Sequence, residues 1–155
     1  ILKSKYSDLS FLLVGGYDSN LSALSRDEVQ GWVDEGLIAH TEFVDDVRPF
    51  LEEASVFVLP SYREGTPRSV LEAMAMEMAI VSTDAPGCRE TVKEGVNGFL
   101  VPTKNSVLLA EKMETFVKDP ELALTMGQAS RVYASEKFDV ANVNGQIIEV
   151  ILGND

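Results

Sequence analysis

The chain has 155 residues, 45% of them hydrophobic, which suits a packed globular core and excludes a disordered segment. Twenty-five acidic residues against thirteen basic ones give a formal net charge of -12, which argues against non-specific binding to nucleic acid or anionic lipid. A single cysteine, Cys88, excludes an internal disulfide, and no apolar run approaches the roughly 20 residues of a membrane span, so a reducing, cytoplasmic setting is expected.

In chain order, Ile1–Tyr6 reads as the last turn of a helix feeding a strand at Phe11–Val14, which ends at Gly15-Gly16. The start at Ile1, with no initiator methionine and no signal-peptide pattern, points to a piece of a longer protein. Val29, Trp32 and Val33 recur at helical spacing, as do Val47, Phe50 and Leu51, and a weaker strand signal lies between them at Thr41–Val44. Val56–Leu59 is a buried strand ending at Pro60-Ser61. Val70, Leu71, Met74 and Ala75 mark one face of the next helix, with Met74, Met76, Met78 and Trp32 expected in the core. Further strands are expected at Ala79–Ser82 and Phe99–Val101, separated by the Gly95-Val96-Asn97-Gly98 turn, where Asn and Gly would supply positive φ. After Pro102 three helical patterns follow, at Leu108–Val117, Leu122–Tyr133 and Val140–Leu152.

Strands alternating with helices predict an α/β fold: a Rossmann-like, three-layer α/β/α parallel sheet with a helical C-terminal tail. The expected organisation is one domain over 1–155, truncated at its N-terminus, with the sheet in 1–102 and the tail in 103–155.

The chemistry candidates cluster in Arg63–Cys88. Thr66-Pro67 resembles a helix start, with Thr66 as N-cap and Pro67 in the first helical position, so Glu64 lies on a loop and Glu72 in the second turn. Backbone N–H groups and the helix dipole favour an anion at such a start, so the two carboxylates suit opposite ends of one extended phosphorylated ligand, although solvated helix acids have the same spacing. Ligands of open α/β sheets bind beyond the carboxyl ends of the strands, and Gly15-Gly16, the Glu64 loop and Asp84–Gly87 would share that rim. Gly15-Gly16 lacks both the GxGxxG and the GK[ST] pattern, and a tight turn is its commoner explanation. His40, the single histidine, has no neighbouring cysteine or second histidine to form a metal site, and Cys88 reads as a buried thiol.

Glu64 and Glu72 with seven residues between, followed by Ala73-Met74-Ala75, resemble the E-x7-E motif of the retaining GT-B glycosyltransferases (glycosyltransferase group 1, family 4), in their C-terminal donor-binding domain. Glu42-Phe43-Val44 and Ala54–Ser61 upstream, and Asp84–Glu90 and Gly95–Phe99 downstream, extend the resemblance over about residues 9 to 117. It implies a nucleotide-sugar-binding domain that works with an N-terminal acceptor domain of the same parent chain and transfers a hexose to a glycan or lipid-linked acceptor in polysaccharide biosynthesis. By the resemblance, Glu64 contacts the donor sugar as the catalytic, charge-stabilising residue and Glu72 the ribose. Val44 and Asp45 meet the base, and Gly65, Thr66, Arg68 and Ser69, with Gly15 and Gly16, line the diphosphate and sugar. Neither a cofactor nor a metal is implied, and no nucleic acid; the parent could sit peripherally at the inner membrane face.

The sequence departs from that pattern in four ways. Pro67 has no N–H; Glu77 and Ala79 stand where glycine and proline are common; Asp45 replaces a usual glycine; and the first strand of the domain, with its diphosphate-gripping arginine and lysine, would lie upstream of Ile1. In the order 3-2-1-4-5-6 that strand is central, so its edges are expected to pair with an upstream segment or, in self-association, with another chain. The fragment alone is then expected to be inactive. The alternatives are a non-catalytic, degenerate module of the same architecture or a nucleotide-sugar epimerase.

Overall fold

The computed structural model describes residues 1–17 and 23–153, which form two compact units, Ile1–Phe50 and Leu51–Asp155. In the first, a 3-10 turn (Leu2–Ser4) precedes β1 (Leu12–Val14), α1 (Arg26–Asp34) and β2 (Ala39–Thr41). β1 and β2 pair in parallel, Leu12 opposite Ala39 and Val14 opposite Thr41. α1 starts in a capping box: the Ser25 hydroxyl accepts from the Glu28 N–H, and the Glu28 carboxylate accepts from the Ser25 N–H, which lowers the Glu28 pKa.

Two expectations for this unit are corrected. The strand read at Thr41–Val44 lies at Ala39–Thr41, because Ala39 donates to the Phe11 carbonyl and the Thr41 carbonyl is taken by the Gly15 N–H, which ends the ladder. Of the expected helix face only Val29 is buried. Trp32 is 36% exposed, since a two-stranded sheet offers α1 only a narrow strip to cover.

α2 (Arg48–Glu52) spans the boundary. The second unit carries β3 (Val56–Leu59), α3 (Arg68–Ala75), β4 (Ala79–Thr83), β5 (Gly98–Val101), α4 (Ser106–Lys118), α5 (Pro120–Lys137) and α6 (Val140–Leu152), so the three tail helices fall where their periodicity puts them. Its strands are parallel in the order β3-β4-β5, with β4 wholly buried. Strand alternation divides the apolar side chains between two faces. Phe57, Leu59, Ile80 and Leu100 meet Val70, Ala73 and Met74 of α3 on one. On the other, Val56, Val58, Val81 and Phe99 meet Met113 and Phe116 of α4 and Ala123 and Met126 of α5. This is a three-layer α/β/α arrangement. Met74 and Met78 are core residues as expected, Met76 packs partly buried against them, and the Cys88 thiol is buried.

α5 serves both faces: its first turns pack with Phe116, and Tyr133, Ala134 and Phe138 near its end pack on the α3 side. At the crossing a Cβ on Gly127 would lie 1.9 Å from the Glu77 carbonyl oxygen, so glycine sets the approach. Glu77 itself holds φ +59°: its N–H donates to the Met74 carbonyl and that of Met78 to Ala73, a Schellman stop in which glutamate occupies the position glycine favours. Asn97 does not supply the positive φ expected of the Gly95–Gly98 turn; Gly95 does. Asn97 is instead fully buried, accepting from the Lys93 N–H and donating to the Thr91 carbonyl and the Ser130 hydroxyl of α5, while Ser130 donates to the Asn97 carbonyl.

Among the described residues β1 pairs only with β2, and β3 only with β4. No described helix is long and apolar enough to cross a membrane.

Candidate functional site

The loop leaving β3 is held by hydroxyls from the end of β4. Ser82 Oγ donates to the Leu59 carbonyl at 2.8 Å, and the Thr83 hydroxyl donates to the Ser61 carbonyl. Both donors are buried and satisfied, so they fix the backbone where β3 ends. Ser61 Oγ in turn donates to Glu64 Oε1 at 2.6 Å. The Glu64 N–H donates to the Pro86 carbonyl at 3.0 Å, tying this loop to the one that leaves β4. Gly87, at φ +84°, lies so close that a Cβ there would fall 1.9 Å from the Gly65 carbonyl oxygen and 2.3 Å from that of Glu64. Two of the three loops expected on the rim therefore meet, and half-buried Glu64 stands on the first of them.

α3 begins one residue later than expected. Pro67, at φ -72° and ψ 116°, is the N-cap and Arg68 the first helical residue; the Thr66 side chain makes no cap bond. Proline fits because its φ is already preset and its missing N–H lies outside the ladder. The Pro67 carbonyl accepts from the Val70 and Leu71 N–H groups. Among the described residues the Arg68 and Ser69 amides have no acceptor, as at the open start of any helix. Gly65, Thr66, Arg68, Ser69 and Glu72 are exposed, whereas Val70, Ala73 and Met74 turn into the core. Helical spacing puts Arg68 and Glu72 on one strip, four residues apart, on the side away from the buried face.

The remaining candidates, Gly15, Gly16, Val44 and Asp45, belong to the first unit. Gly15 adopts φ +143°, and its carbonyl accepts from His40 Nε2 at 2.9 Å. A carbonyl can only accept, so Nε2 carries the proton, and in the neutral ring Nδ1 accepts from the Tyr17 hydroxyl at 3.3 Å. His40 is thus spent on the glycine turn. Gly16 approaches Phe43, which sets the turn beside the segment leading to half-buried Val44 and exposed Asp45. Next to them the Arg48 guanidinium grips the Asp46 carboxylate with two bonds, of 2.8 and 2.7 Å, and the Arg48 N–H adds a third; together they lower the Asp46 pKa to about 2.

Sequence reading missed the roles of Ser61, Thr83 and His40. The usable signal for the first two was a hydroxyl residue at the end of each of two neighbouring strands, at a rim already suspected of binding.

The chain matches the model of the glycosyl transferases group 1 over residues 1–119. It belongs to that family. Relatives include the N,N'-diacetylbacillosaminyl-diphospho-undecaprenol alpha-1,3-N-acetylgalactosaminyltransferase of Campylobacter jejuni, 37% identical over 119 residues, covering 77% of this chain and 31% of the relative. The capsular polysaccharide biosynthesis glycosyltransferase CapM of Staphylococcus aureus is 31% identical over 135 residues, covering 79% and 35%. Among solved structures, Anabaena HepE in complex with UDP superposes with a TM-score of 0.79 at 28% identity, over 92% of this chain and 40% of HepE. HepE with UDP-glucose gives 0.77 at 29%. This glycosyl transferases group 1 chain thus spans roughly a third of its curated relatives, and its fold is shared with GT-B glycosyltransferases.

Proposed function

We propose that this chain is the donor-binding domain of a retaining glycosyltransferase that takes a hexose from a nucleotide diphosphate sugar and passes it to a glycan or lipid-linked acceptor. The observation that carries the reading is the match to HepE structures holding UDP and UDP-glucose, over 92% of this chain. The name of the Campylobacter relative, a diphospho-undecaprenol N-acetylgalactosaminyltransferase, supports a lipid-linked acceptor. The local geometry is compatible. Glu64 stands on a braced loop at the C-terminal edge of the sheet, and the Arg68 and Ser69 amides open beside it at the start of α3, where a diphosphate is favoured.

In this reading Glu64 accepts from donor-sugar hydroxyls and stabilises the positive charge that develops on the sugar as the nucleotide diphosphate leaves. Glu72 accepts from the ribose hydroxyls. Gly65, Thr66, Arg68 and Ser69 line the diphosphate and sugar; the parts that the family resemblance gives to Gly15, Gly16, Val44 and Asp45 are proposals for the parent enzyme. Neither a metal nor a cofactor takes part. An N-terminal acceptor domain of the parent chain completes the enzyme, in the cytoplasm and peripherally at the inner membrane face. In isolation, copies of this chain associate and transfer is lost.

Calorimetry with UDP and UDP-glucose on the full parent chain tests the reading. Glu72→Ala is expected to weaken both ligands by about 10-fold, the value of a hydrogen bond to a charged group. Glu64→Ala should weaken UDP-glucose by a similar factor and leave UDP unchanged. If the wild-type chain and both variants bind alike, or none binds, the donor reading is wrong.

A further inference from the structure

We infer that Ser61 is a positioning residue that aims the Glu64 carboxylate at the donor sugar. The inference rests on the donor-binding reading and adds a residue to which neither the motif nor the comparisons give a role.

Three bonds carry it. The Thr83 hydroxyl holds the Ser61 carbonyl, so the Ser61 backbone is fixed from β4. Ser61 Oγ donates to Glu64 Oε1 at 2.6 Å, which engages one carboxylate oxygen. The Glu64 N–H is fixed separately on the Pro86 carbonyl. Glu64 is therefore tethered at its backbone and at one oxygen, and Oε2, which bonds none of the described residues, is left to accept a ligand hydroxyl. A glutamate side chain is otherwise free about several bonds, and a single donor at its tip selects among its rotamers before the ligand arrives.

The test is the same pair of titrations on Ser61→Ala, Ser61→Thr and the double variant Ser61→Ala with Glu64→Ala. Positioning predicts that Ser61→Ala weakens UDP-glucose by about 10-fold while UDP binding is kept, and that Ser61→Thr, which keeps the hydroxyl, restores it. In the double variant the serine change should cost nothing beyond Glu64→Ala, because its target is gone. Additive losses, or equal losses for UDP and UDP-glucose, would mean that Ser61 only supports the loop, and the inference falls. Wild-type affinity in Ser61→Ala, with Glu64→Ala weakened, overturns the inference and leaves the donor reading standing; an unaffected Glu64→Ala removes the donor reading itself.

Discussion

Asp46 and Arg48 show how much one surface residue can be perturbed without burial. The Arg48 side chain is the largest cause of the low Asp46 pKa, followed by the Arg48 N–H. The folded value of about 2 lies below that of an unfolded aspartate, so the pair adds stability above about pH 4. That contribution is lost as the pH falls towards 2. Both groups are solvated, so the contribution is small. A carbon-detected titration of the Asp46 carboxyl should give a midpoint near 2, and Arg48→Ala should return most of the shift; a midpoint in the usual aspartate range in the wild type would contradict the contact. At this scale the sequence was least informative. Nothing in Ser61 or His40 as letters announces that one engages Glu64 and the other a glycine carbonyl, because each bond depends on where a neighbouring strand stops.

Two helical glycines have opposite expected responses to alanine. Glycine in a helix interior costs about 1 kcal/mol against alanine, so either replacement should stabilise on propensity alone. Gly145 in α6 has nothing within 4 Å of an added Cβ, and Gly145→Ala should raise stability by about 1 kcal/mol. Gly127 in α5 has the Glu77 carbonyl at 1.9 Å, and Gly127→Ala should lower stability by about 2 kcal/mol or more as α5 is pushed off the end of α3. Urea unfolding of both variants checks the pair, and like signs would contradict the packing at Gly127. Elements were more legible than residues. β4 announces itself because Ala79–Val81 is a continuous apolar run between stops, as a strand buried on both faces must be. β2 does not: Ala39-His40-Thr41 has one apolar residue and no alternation, and only its partner β1 makes it a strand. The cap of α3 was misplaced by one residue for a related reason, since threonine before proline can cap a helix or simply precede one.

For the whole chain, burial is unevenly divided. Of the described hydrophobic residues that are buried, Leu2 and Val29 belong to the first unit and all the others to the second. Amide exchange should follow: Ile80 and Val81 in β4 should be protected to near the global unfolding free energy, while Leu13 and His40 exchange orders of magnitude faster through local opening. Equal protection in both units would refute this. The fold class was readable because strand and helix periods alternate cleanly from Val56 to the tail, and the tail helices carry long apolar stripes. The division into two units was not, since no composition shift marks Phe50.

The bond between Asn97 and Ser130 has a consequence for how α5 finds its place. A helix of 18 residues lying on apolar side chains could settle at positions one turn apart, about 5.4 Å, with similar hydrophobic gain. The observed position brings the Ser130 hydroxyl to the buried Asn97 amide; a shift of four residues either way would put Met126 or Ala134 there and strand a donor without water. Apolar contact therefore draws the tail onto the sheet, and one serine tells it where to stop.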